Sequence, residues 1–141
     1  MSSNKLANLV RPGALIEEAP DKREFDGLVI SGKDRLADAH RESLSLASRF
    51  DLAYNSAHAL ALAALRWRGY RSDKRYLIFQ CIPHTLGLGP EVWRVLDLCH
   101  QRRNVAEYEG LYEIEEQLLA DLLVAADRLL EAVQQLESVP R

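Results

Sequence analysis

Apolar residues along most of this 141-residue chain recur every three or four positions, the spacing that gathers them on one face of an α-helix. No stretch alternates with period two for long enough to predict a strand. From Phe25, the positions Phe25, Val29, Leu36 and Ala39 share one face and predict a first bundle helix, with Gly27 and Gly32 weakening or kinking it. Ser43 and Ser45 offer N-cap oxygens to a longer helix, in which Leu46, Phe50, Ala53, Ala57, Leu60, Ala64 and Trp67 step by fours and threes until Gly69 stops it. The alanines along that seam predict a close approach by a neighbouring helix. Asp73 is placed to cap a further short helix through Tyr76, Leu77, Phe79 and Ile82, with Pro83 disturbing its last turn, and residues 87–90 form a loop. Val92, Leu96 and Cys99 head the next stripe, which then reaches Arg103 and Ala106 before Gly110 closes the helix. The last helix, over about residues 113–137, carries two adjacent apolar rows headed by Leu118 and Leu119.

Pro12, Gly13 and Pro20 leave room for only a short helical piece near residues 5–10, which predicts a docked arm over residues 1–22 and a helical body over residues 23–138. Short loops between long amphipathic helices predict an all-α fold, an antiparallel four-helix-type bundle with one additional short helix.

Composition narrows the functions. At 48% hydrophobic residues the chain supports one core, and a net charge of -3 with 28% charged residues excludes a uniformly basic nucleic-acid coat. Any RNA contact must be local. Cys81 and Cys99 sit in apolar segments without disulfide or metal-ligand spacing, which predicts a reducing compartment and no metal or other cofactor. The first ten residues do not read as a secretory leader, and the apolar run over 57–65 is too short to span a bilayer, so a cytoplasmic protein without membrane contact is expected.

The most informative string is Arg102-Arg103-Asn104-Val105-Ala106-Glu107-Tyr108-Glu109. One reading is a solvated helix end with an i,i+4 pair between Arg103 and Glu107. The other starts from the position of Arg103 on the buried stripe, where a guanidinium must be paired or open onto a cleft. Asn104 and Tyr108 lie one turn apart beside it, and such a group suits a phosphate. His100, three residues before Arg103, shares its face and is a candidate acid or base. His58 lies among alanines and reads as a hydrogen-bonded core histidine, whereas His40 has no supporting pattern. Arg66, Arg68, Arg71, Lys74 and Arg75 gather around one helix junction, either as a solvated loop or as an RNA-backbone patch in which Arg71, Lys74 and Arg75 join Arg102 and Arg103. Glu107, Glu109, Glu113, Glu115 and Glu116 follow the motif, where they would repel RNA or dock a basic partner.

The string from Ala53-Tyr54-Asn55-Ser56-Ala57-His58 through Gly69-Tyr70-Arg71 to Arg103-Asn104, Ala106 and Tyr108 resembles the layout of the HEPN superfamily (higher eukaryote and prokaryote nucleotide-binding domains) over about residues 25–137. The resemblance implies a four-helix core, pairing of two protomers around a shared cleft, and RNA association, with metal-independent endoribonuclease activity in catalytic members. The family's arginine corresponds to Arg103, but Tyr108 stands where its histidine would be. Metal-free RNA cleavage needs a group that exchanges protons near neutrality, and an unperturbed tyrosine titrates near about 10. Three readings follow. The first is an RNA-associated homodimer, toxin- or defence-related, that binds phosphate through Arg102, Arg103, Asn104 and Tyr108. The second is a silent interaction module paired with a nucleotidyltransferase or other antitoxin. The third is a ribonuclease that uses Arg103 with Tyr108 or His100.

Overall fold

A computed structural model describes residues 2–10, 12–110 and 114–139, with the side chains of 2–4 and 107–109 outside that description. In chain order the elements are α1 (Ser2–Val10), β1 (Ile16–Glu17), α2 (Lys22–Ala39), α3 (Leu46–Trp67), β2 (Tyr70–Arg71), α4 (Arg75–Gln80), α5 (Ile82–Thr85), α6 (Pro90–Glu109) and α7 (Glu116–Gln134). The chain is mostly helical. Its only sheet among the described residues is an antiparallel ribbon that pairs Ile16 with Arg71 and Glu17 with Tyr70.

The alanine-rich seam becomes the centre of the molecule. Phe50, Ala53, Ala57, Leu60 and Ala64 are buried along α3, and that helix packs on α2, α7, α4, α5 and α6. Small side chains let several elements reach it at once. Ser45 caps α3 as its sequence position predicts, its hydroxyl accepting from the Ser48 N–H at 3.1 Å. At the other end Gly69 takes φ 90°, a left-handed conformation that ends the helix cleanly. Leu118 and Leu119 are both buried, so α7 presents the wide apolar face its two rows require. Leu6 and Leu15 are buried in the same core, and with the ribbon they dock the N-terminal arm.

Three local expectations are revised. The helix α2 runs unbroken through Gly32, whose role is a contact rather than a weak point: it lies against α3, where the Ser56 hydroxyl donates to the Gly32 carbonyl at 2.6 Å. Asp73 does not cap α4. The N-cap is Lys74, which lacks a side-chain cap bond, and the Ser72 hydroxyl instead accepts from the Lys74 N–H at 3.1 Å. Pro83 lacks the N–H needed to continue a helix, so the segment divides into α4 and the four-residue α5 with Pro83 in its first turn.

The seam makes a quantitative prediction. Ala57 is fully buried, whereas the Glu115 side chain is 68% exposed. Ala57→Leu should cost about 1–3 kcal/mol by overpacking, and Glu115→Leu should stay within about 0.5 kcal/mol. Equal urea midpoints for the two variants would show that the seam is loosely packed. No helix among the described residues is long and apolar enough to cross a membrane.

Candidate functional site

The basic series around the α3–α4 junction divides into separate tasks. Arg66 is only 1% exposed, and its guanidinium bonds in several directions. Nε donates to Glu24 Oε1 at 2.6 Å, Nη1 to the Glu18 carbonyl at 2.8 Å and Nη2 to the Ala19 carbonyl at 2.7 Å. Arg71 pairs with Glu18 at 3.0 Å and also with Glu24. Burial alone would raise the pKa of Glu24, but hydrogen bonds from Arg71 and Arg66 outweigh it and hold the carboxyl below its ordinary value. Arg68 donates to the Thr85 carbonyl at 3.1 Å. Arg66, Arg68 and Arg71 therefore hold the arm and α5 in place. Lys74 is exposed, and Arg75 turns to a different cluster.

That cluster forms where α3, α4 and α6 meet. Tyr54 of α3 is fully buried, and its hydroxyl is hydrogen-bonded to His100 Nδ1 of α6 at 2.8 Å. Asn104, one turn beyond His100, donates from Nδ2 to His100 Nε2 at 3.3 Å. In this assigned amide orientation Nε2 accepts, so the ring proton sits on Nδ1 and points at Tyr54. Two guanidiniums face the Tyr54 ring, Arg75 at 5.4 Å from α4 and Arg103 at 5.2 Å from α6. Both distances suit a cation–π contact. Arg75 Nη1 also donates to Asn55 Oδ1 at 3.0 Å, which ties α4 to α3.

The electrostatics follow from this crowding. Burial lowers the pKa of His100, with Arg103 and Arg75 adding to the effect and Asp97 opposing it. His58 is half-buried edge-on to Phe79, and burial together with Arg75 and Arg103 lowers its pKa to about 4. Burial raises the pKa of Tyr54, against the pull of Arg75 and Arg103, so its phenol stays protonated at neutral pH. Both imidazoles are neutral there as well, and the arginines supply the positive charge at this junction. A neutral imidazole could act as a base, yet both His100 nitrogens are already engaged, at Tyr54 and at Asn104.

Of the residues singled out in the sequence, His100, Arg103, Asn104 and Arg75 come together. Arg102 pairs with Glu115 at 3.2 Å, and Arg71 is turned away to Glu18 of the arm. The side chain of Tyr108 lies outside the described residues, as does that of Glu107, the i,i+4 partner considered for Arg103. Tyr54 and Asn55 carry roles that residue-by-residue reasoning did not assign. The signal for Tyr54 was a polar-tipped aromatic one turn before His58 in a helix otherwise rich in alanine. No group of three or more His, Cys, Asp or Glu side chains among the described residues is arranged to hold a metal ion. Comparison with protein-family models, with curated proteins and with solved structures gives no match.

Proposed function

We propose that this chain is a HEPN-like RNA-associated module that binds RNA phosphate at the junction of α3, α4 and α6. In this reading α2, α3, α6 and α7 form the family's four-helix core. Two protomers pair around the junction in the cytoplasm, burying over about 1,000 Å², in a toxin- or defence-related setting. The observation that carries the reading is the placement of Arg75 and Arg103 over one buried Tyr54 ring, beside an imidazole whose neutral form is favoured. Guanidinium geometry suits phosphate oxygens, and both arginines lie at the same helix junction.

The engaged state of both His100 nitrogens favours binding over cutting. Arg103→Ala should weaken binding of a labelled single-stranded RNA about tenfold, the scale of one charged hydrogen bond, and should lower the salt slope by about 0.7. The wild-type protein should leave that RNA intact in EDTA. Rapid cleavage in EDTA that is lost in Tyr108→Phe or His100→Ala would replace this reading with the ribonuclease. If Arg103→Ala alters only self-association or capture of a nucleotidyltransferase or other antitoxin, the interaction module takes its place.

A further inference from the structure

We infer that Tyr76 is a stacking platform for a nucleobase, so that the site takes single-stranded RNA by base and phosphate together rather than by phosphate alone. The inference rests on the RNA reading above and adds the substrate class. Tyr76 stands in the first turn of α4, directly after Arg75. The other rings of the cluster are accounted for by packing: Tyr54 and Phe79 are fully buried and meet edge to face at 5.8 Å. Tyr76 is 45% exposed, so much of its surface is left open to solvent. Its ring centroid lies 6.5 Å from that of His100, tilted by 38°, which puts an accessible aromatic surface at the border of the cationic cluster.

A nucleotide presents a charged phosphate and an apolar base face a short distance apart. Arg75 and Arg103 supply the guanidiniums for the first, and Tyr76 supplies the ring for the second. Stacking tolerates any base but requires it unpaired, which excludes bases locked inside a duplex. The ring contact differs from the phosphate contact in its response to salt, because only the latter is screened.

The test titrates full-length wild type, Tyr76→Ala, Tyr76→Leu, Tyr76→Phe and Arg103→Ala with three probes: a single-stranded RNA, its duplex, and inorganic polyphosphate, which carries charge without bases. Tyr76→Ala and Tyr76→Leu should each bind the single strand about tenfold more weakly, the scale of one stacked base, and that loss should persist as salt rises. Tyr76→Phe should bind as wild type, and polyphosphate affinity should be unchanged in all three Tyr76 variants. Tyr76→Leu retains apolar bulk, so its loss of binding with an unchanged melting temperature separates stacking from support of the fold. Single-strand binding by Tyr76→Ala and Tyr76→Leu equal to wild type, while Arg103→Ala still weakens it, would overturn the stacking role and leave the phosphate reading standing. An equal loss on polyphosphate would overturn it as well. A wild-type protein that binds none of the three probes would overturn both.

Discussion

Arg66→Ala should lower the unfolding free energy by about 2–5 kcal/mol, the range seen when a large, fully buried side chain is truncated. Arg66 ranks among the largest fully buried side chains, so truncation leaves a void as well as unpaired acceptors. The Glu18 and Ala19 carbonyls and the Glu24 carboxylate all lose a donor. Arg66→Lys retains the charge but not the planar fork that serves these acceptors in different directions, so most of the loss should remain. The same network makes the fold sensitive to acid. The pKa of Glu24 is depressed in the folded chain, so its contribution is complete above the ordinary carboxyl value of 4.5 and declines as pH falls through the lower folded value. Urea midpoints measured across that range should fall with acid in the wild type and change less in Arg66→Ala. An Arg66→Ala midpoint equal to wild type at neutral pH would show that the network only decorates the fold.

Gly32→Leu should cost about 3 kcal/mol, while Gly27→Leu on the same helix should stabilise by about 0.5–1 kcal/mol. The two glycines meet different surroundings. A Cβ at Gly32 would fall 2.6 Å from Leu60 Cγ and 2.7 Å from its Cδ2, and Leu60 is itself fully buried. The Ser56 bond to the Gly32 carbonyl requires that same close approach of α2 to α3. A Cβ at Gly27 meets nothing within 4 Å, so only the gain in helix propensity is felt. If both variants raise the melting temperature, the α2–α3 contact is more yielding than its geometry indicates.

The sequence carries the helices well because their information is local. Periodicity placed the α3 seam and the α6 stripe, and Ser45, Gly69 and Gly110 marked the helix ends where they occur. The role of Gly32 is not legible locally, for a physical reason: a glycine weakens an isolated helix, but here its missing side chain permits a contact with a segment far along the chain. The site divides in the same way. His100, Arg103 and Asn104 lie within one helical turn or so, and their shared face can be counted from spacing. Tyr54, Asn55 and Arg75 join them only after α3 and α4 pack beside α6, and no local pattern encodes that meeting. Arg66 is the clearest case. Its charge is visible in the sequence, but its burial depends on acceptors at Glu18, Ala19 and Glu24, more than forty residues upstream.

The end of α3 also holds the other side of the chain. Beside Arg66, Trp67 Nε1 donates to the Glu137 carbonyl at 2.8 Å, and the Glu18 N–H donates to the Gly69 carbonyl at 2.9 Å. Residues 66–69 thus grip one segment that enters the fold and another that leaves it. Local opening in proteins follows contiguous cooperative units. Fraying of this one turn would loosen both segments together, and amide exchange in the ribbon would be coupled to release of the residues after α7.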